Sequence, residues 1–454
     1  MFEITQIPIP DFGAPEEIPV LPPRLYRDRC RRVLERLREA GLDALVVYAD
    51  REHSANLSYC TGFDPRFEEA LFVLTSDGQA TLCLGNECLN VVSALPVSTD
   101  ILLCQDFSLM GQDRSKSWDL TPLLAKAGLR RGMRCGIAGW KTLEAGRLEV
   151  PFYIVDLISQ RCGRPPTNAN DLFMHPQRGL RIVNEPEQIA QFEYAATRTS
   201  NSILKLLRAI EPGKRCFELA AHFDGGGLPD SCHPMVSCGR RIPNGMASPG
   251  NTRVVEGHFL TSAFGVWGAL TCRAGWLTAH PEVFAKGTGR AVWPIIENYL
   301  TVTRAWYAAV SVDASAGDVW AQTDAARQDG LYTLCVNPGH YLHLDEWVSS
   351  PFWKDSPVAL PSGCALQADI IPVPRKGTAS INMEDGIVLA DARLRSQLER
   401  RYPALHQRCE ARRRFMIEVL GYALSPDILP LSNIPGAYFP CLLDTTWVCR
   451  HRRS

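Results

Sequence analysis

Residues 337–347 read Asn337-Pro338-Gly339-His340-Tyr341-Leu342-His343-Leu344-Asp345-Glu346-Trp347. A histidine placed directly after a glycine turn, entering an extended segment, can present its imidazole into a cleft. His343 follows three positions on, so an extended chain points it to the face opposite His340. The two rings are therefore not expected to share one ion. Read alone, a hydrogen bond within the turn explains His340 just as simply. Three other stretches carry comparable groups. Gln367-Ala368-Asp369-Ile370-Ile371-Pro372 sets a lone carboxylate in an apolar run, which is costly to bury unless a cation or a donor meets it; an edge strand would simply leave it in water. In Asn382-Met383-Glu384-Asp385-Gly386, Glu384 ends a strand before an Asp-Gly turn. In Cys232-His233-Pro234-Met235-Val236-Ser237-Cys238-Gly239, the proline holds His233 extended. There it can act as a general base or bind a substrate group, or serve as an ordinary turn histidine.

Working outward, residues 232–276 are punctuated by glycine and strand-like, 282–330 read as helical, and 332–390 return to strand and turn signals. Before them, Asn184-Glu185-Pro186-Glu187 predicts a helix start, with Asn184 as N-cap and Pro186 in the first turn. Ile189, Phe192, Ala196, Ile203, Leu206 and Leu207 follow on a helical period, and Pro212-Gly213 ends it. Helix, sheet, helix and sheet in succession is an α+β pattern. Beyond it lies an arginine-rich helix around 392–420, whose charges suit a solvated face.

Further upstream, Leu25, Cys30, Val33, Leu34 and Leu37 predict a helix closed by Gly41. Ala44–Tyr48 reads as a buried strand, Ala70–Leu74 and Ala80–Leu84 as a hairpin across Asp77-Gly78, and Cys135–Gly139 as another strand. That alternation predicts an α/β domain. The expected organisation is a proline-rich extended arm over residues 1–23, an N-terminal domain over 24–178, and a second domain over 179–454.

Bulk properties narrow the function classes. The chain has 454 residues, 46% hydrophobic and 21% charged, with a formal net charge of −1. No basic excess points to nucleic acid or to an anionic membrane. No run of about 18 apolar residues suggests a membrane span, and the N-terminus lacks the basic-then-apolar pattern of a secretory signal. The sixteen cysteines are scattered without a C-x-x-C pair, as expected for reduced, mostly buried thiols in a cytoplasmic protein.

In their order and spacing, six segments resemble the creatinase, prolidase, aminopeptidase P and methionine aminopeptidase superfamily. They are Val183–Ile189, Glu211-Pro212-Gly213 with Glu218-Leu219, His233 to Gly239, Gly339-His340, Pro361–Asp369, and Met383-Glu384-Asp385. The resemblance covers about residues 180–392, and the first 175 residues look like the creatinase-type N-terminal domain. It implies an α/β creatinase-like N-terminal domain followed by an α+β pita-bread domain, and commonly a homodimer. It also implies a metal pair held by two Asp, one His and two Glu. The His carries over to His340, one Glu to Asp369 and the other to Glu384. The aspartate positions hold Ala263 and Leu270, which offer no ligand atom, while the nearby arginine is kept as Arg273. A bridged pair of ions is then not expected, and the expectation is either no cofactor or a single divalent metal ion.

Three functions follow from the resemblance. One is a metal-free, creatinase-like hydrolase of a C–N bond in a small molecule or short peptide. His233 and His340 would be catalytic, and Asp369, Glu384, Arg273 and Glu346 would bind substrate. Another is a single-metal peptidase of the Xaa-Pro kind, with His340, Asp369 and Glu384 on the ion. The third is a non-catalytic module that binds peptides or partners in the cleft.

Overall fold

In the computed structural model the chain forms two compact units, Leu21–Ile182, and Met1–Val20 with Val183–Ser454. The structure describes all residues except 66, 98, 117–118, 241–244, 288, 376–380 and 453–454. The expected boundary at 178/179 falls at 182/183. The expected extended arm is partly an ordered element, because strand β1 (Phe2–Gln6) pairs along its whole length with the last strand, Trp447–His451.

The unit Leu21–Ile182 is a mixed six-stranded sheet. Its strands are β2 (Ala44–Ala49), β3 (Ala70–Thr75), β4 (Ala80–Leu84), β5 (Asp100–Leu103), β6 (Cys135–Ala138) and β7 (Thr167–Asn168), in the order β5-β4-β3-β2-β6-β7. The central β2 and β3 are buried at every position, as their unbroken apolar runs require of strands covered on both faces. The helices Leu120–Lys126 and Phe152–Cys162 cover one face, packing Leu123, Leu124, Ile154 and Ile158 against Val46 and Val73.

In the unit ending at Ser454, the helix Pro186–Arg208 packs against an antiparallel sheet. Glu185 is its N-cap residue, with Pro186 at the first helical position. Asn184, predicted as the cap, instead donates from Nδ2 to the Gly363 carbonyl. The sheet contains β8 (Met235–Gly239), β9 (Phe259–Val266) and β10 (Ala269–Trp276). Gly268 in the two-residue β9–β10 turn has φ +96°, and a Cβ there would lie 2.7 Å from the Phe192 ring, so only glycine fits. A short pair, β11 (Tyr332–Leu334) and β14 (Pro372–Pro374), stands apart. A second four-stranded sheet orders β12 (His340–Tyr341), β13 (Ala365–Gln367), β16 (Gly386–Leu389) and β17 (Ile428–Pro430) as β12-β13-β16-β17. Strand β15 (Met383–Glu384) completes the first sheet beside β10, and the chain closes with β18 (Trp447–His451). Among the described residues no helix is long and apolar enough to cross a membrane.

The arginine-rich helix Pro403–Arg414 is tied inward by charge rather than solvated all round. Glu193, buried on the helix Pro186–Arg208, accepts from Arg408 at 2.7 and 2.8 Å and lies 2.8 Å from the buried Arg412. Arg412 also reaches Asn433 Oδ1 at 2.7 and 2.9 Å. Removing Glu193 leaves two uncompensated guanidinium groups, whereas removing all three members leaves no charge behind. Glu193→Ala should therefore lower the unfolding free energy by about 3–5 kcal/mol. Glu193→Leu combined with Arg408→Met and Arg412→Met should cost less than Glu193→Ala alone, as read from guanidinium chloride unfolding midpoints.

Candidate active site

Glycine sets up the first ligand. Gly339 has φ +95°, and a Cβ there would meet the Gln367 carbonyl oxygen at 2.8 Å. The chain can hug β13 at this point only because the side chain is absent, and His340 enters β12 opposite Gln367. The His340 ring is wholly buried and stacks on Trp347, with centroids 4.1 Å apart and planes at 20°. Its Nδ1 is 3.2 Å from the Tyr341 carbonyl oxygen, an acceptor only, so Nδ1 carries the proton. Nε2 then faces two carboxylates, Glu346 Oε1 at 3.2 Å and Glu384 Oε1 at 3.5 Å.

Each acid comes from a different element. A sharp reversal, with Tyr341 N and Val348 N bonding back to Ser349 O and Tyr341 O, returns Glu346 to the ring. Glu384 stands on β15 directly opposite Cys272 of β10. Asp369 follows β13, its carbonyl accepting from Gly339 N at 2.8 Å, and its Oδ1 is buried without a hydrogen-bond partner. Gln367 joins the two sheets by donating from Nε2 to the Leu270 carbonyl at 2.8 Å.

The electrostatics follow from burial. Burial first, with Glu346 adding and His340 opposing, pushes the Asp369 carboxyl up to about 7. Burial and then Asp369 raise Glu384 well above the usual carboxylate range. Burial alone would lower His340, but Glu346 and Glu384 outweigh it and hold the ring's pKa well above the usual histidine value. Burial, then Glu346 and Glu384, push the Cys232 thiol up to about 12.

This arrangement fits a cation. A neutral His340 would aim its Nε2 lone pair at two carboxylates, which is repulsive unless a proton or a metal ion lies between them. One donor atom from each of His340, Glu346 and Glu384 lies within 4.8 Å of the others, compatible with a shared ion. One imidazole and carboxylate oxygens suit a divalent ion of the Mn²⁺ or Zn²⁺ kind.

Not all sequence-predicted residues meet here. His340, Glu346 and Glu384 converge, with Asp369 beside them. His233 is exposed and bonds through Nε2 to the Met246 carbonyl at 2.7 Å, with no hydrogen bond or ion pair to the cluster. Arg273, expected to bind substrate, is a framework residue. Its Nη2 holds both Asp385 oxygens at 2.8 and 2.9 Å, Nε reaches the Ala437 carbonyl at 2.8 Å, and Nη1 reaches the Cys272 and Glu384 carbonyls. No donor is left for a ligand. Glu346, expected only as a substrate contact, stands in the ligand triangle where Asp369 was expected. The stacking of Trp347 on His340 was not read from the sequence; Trp347 follows Glu346 directly and shares its turn.

The fold joins a creatinase/prolidase-type N-terminal domain to a pita-bread domain. Residues 29–143 match the family model of the creatinase/prolidase N-terminal domain. The prolidase of Pyrococcus horikoshii superposes with a TM-score of 0.61 at 15% identity, covering 80% of this chain and 95% of that one. The prolidase of Thermococcus sibiricus gives 0.63 at 16%, covering 81% and 95%. A dipeptidase of Mycobacterium ulcerans gives 0.60 at 17%, covering 83% and 95%. At such identities the likeness establishes the fold. No curated protein sequence matches the chain.

The pKa directions carry a testable sign. Asp369, Glu384 and His340 all have folded pKa values above their unfolded ones. Each favours the fold below its unfolded pKa and loses that contribution as pH rises through the folded value. With divalent ions removed by chelator, the melting temperature should fall by several degrees between pH 5 and pH 7.5. Asp369→Asn should flatten that slope in thermal melts followed by circular dichroism.

Proposed function

We propose that this chain is a hydrolase of C–N bonds in a small molecule or short peptide, using one divalent ion held by His340, Glu346 and Glu384. One observation carries the reading: three donor atoms from separate elements converge, with the buried oxygens Glu384 Oε1 and Asp369 Oδ1 lacking hydrogen-bond partners. The fold shared with solved prolidases and an aminopeptidase supports the peptidase-like class. The exposed position of His233 favours this over a metal-free mechanism with that residue as acid and base.

A divalent ion supplies a Lewis acid that polarises a carbonyl and makes a bound water nucleophilic near neutral pH. The chain's own residues prepare the rest. The Tyr341 carbonyl fixes the His340 tautomer, so Nε2 is the ligand atom, and Trp347 fixes the ring plane. Glu346 and Glu384 provide anionic oxygens on either side. Asp369 keeps Oδ1 free to take a proton from water and return it to the leaving nitrogen. Glu346, about a quarter exposed, stands on the solvent side where substrate enters. A homodimer in the cytoplasm belongs to the same proposal, and sizing by light scattering checks the dimer.

Elemental analysis after dialysis against micromolar Mn²⁺ or Zn²⁺ should find one ion per chain. His340→Ala and Glu384→Ala should lose it while keeping the far-ultraviolet spectrum. Ala263→Asp with Leu270→Asp, which adds two carboxylates on the sheet face that bears Glu384, should raise the count toward two. A folded protein that binds no divalent ion and cleaves no Xaa-Pro dipeptide would sink the proposal and leave a cleft that only binds.

A further inference from the structure

Across the first sheet, the register sets Glu384 opposite Cys272, Cys272 opposite Ala263, and Ala263 opposite Met235. Directly opposed residues of antiparallel strands put their side chains on one face, and Leu270, two residues from Cys272, shares it. The row thus runs from a carboxylate through a thiol and a methyl to a thioether, with an isobutyl group alongside. These four apolar groups form a cluster of their own, with Cys232 packed at its edge.

Exposure separates this face from the opposite face of the same strands. Met235, Ala263, Leu270 and Cys272 each keep 5–7% of their surface. Their neighbours on the opposite face, Val236, Ser262, Thr271 and Arg273, keep 0–1%. The same small residual appears at Glu384 and Asp369, at 6% and 5%. The row and the acids thus share a small residual exposure, and Glu384 joins the row directly through its register with Cys272. Asn382 Nδ2 donates to Cys272 Sγ at 3.0 Å and Gln367 Nε2 to the Leu270 carbonyl at 2.8 Å, while Ser237 Oγ, two residues from Met235 on the same face, is buried without a partner. What the row offers a ligand is apolar surface starting one strand from an acid.

We propose that Met235, Ala263, Leu270 and Cys272 form a subsite for an apolar group of the substrate, seated next to the bond that the acid cluster acts on. The proposal rests on the hydrolase reading and narrows it to substrates whose unbranched apolar group adjoins the scissile C–N bond. Two strand spacings from Cys272 to Met235 give the subsite a length of about 10 Å. Leu270 bounds its width and Ala263 leaves its middle open.

Two ligand series separate the subsite from the metal. Straight-chain alkyl hydroxamates, from acetyl to octanoyl, are titrated into Zn²⁺-loaded protein, and n-alkylammonium ions of matching length into chelator-treated protein, both by calorimetry. Affinity should rise about fourfold per methylene and level off once the row is filled. Ala263→Val should end the rise at a shorter chain, and Leu270→Ala should admit a branched chain that the parent refuses. Should either variant fail to fold, the parent series alone still decides. A chain-length rise with alkylammonium ions but no hydroxamate binding keeps the subsite and removes the metal. Binding of either headgroup with no chain-length dependence overturns the subsite, as does absence of binding in both series at every length.

Discussion

The site depends on a buried excess of negative charge around one imidazole. Glu346, Glu384 and Asp369 converge on His340, whose Nδ1 already donates to a backbone carbonyl. Each carboxylate is expensive to bury ionised, and together they repel. A positive charge at Nε2 resolves the repulsion, as protonation of the buried carboxyls also does in part. A proton supplies it weakly, and a divalent ion supplies it fully while binding the carboxylate oxygens the structure leaves bare. On the proposed reading, proton and metal would compete for one place, which would couple stability, pH and ion binding.

That cluster holds its shape because a second, fully compensated charge pair lies behind it. Arg273 and Asp385 alternate with Cys272 and Glu384 along paired strands, so the sheet carries a framework ion pair on one face and the reactive acid on the other. Asp385 Oδ2 also accepts from Gly436 N at 2.9 Å, and Arg273 grips the Glu384 carbonyl. Glu384 is thus anchored through its own backbone and its neighbour's side chain, and its carboxylate needs no structural partner. Such division of labour between adjacent residues is available only to a strand, where the faces alternate.

Much of the fold was legible because local signals agreed with one another. The apolar run Ala44–Tyr48, the Asp77-Gly78 hairpin and the Pro186 helix start all appear where the pattern sets them. His340 and Glu384 were legible as candidates because the order of motifs carried them, and the structure brings their side chains to within 3.5 Å of each other. Ligand geometry was not. Glu346 joins the triangle through a tight reversal over residues 341–349, which no periodicity announces. Arg273 looks in sequence like any arginine near a motif, and only the saturation of its donors shows it to be framework. The direction of His233, which bonds the Met246 carbonyl, was not legible because a histidine held extended by proline has no preferred direction until the loop it bonds is in place.

On the proposed reading, Ala263 and Leu270 at the two expected aspartate positions would bear on the site's chemistry in two linked ways. Two aspartates there would add negative charge to a hollow already carrying three acids, and only a second cation would make that tolerable. Without them, one divalent ion nearly balances the acids that remain, so the missing carboxylates and a single ion are mutually consistent. Ala263 and Leu270 also make the sheet face next to Glu384 apolar. On the proposed reading, the same two residues withhold ligand atoms and supply apolar surface, so that selection would lean on the side chain of the substrate.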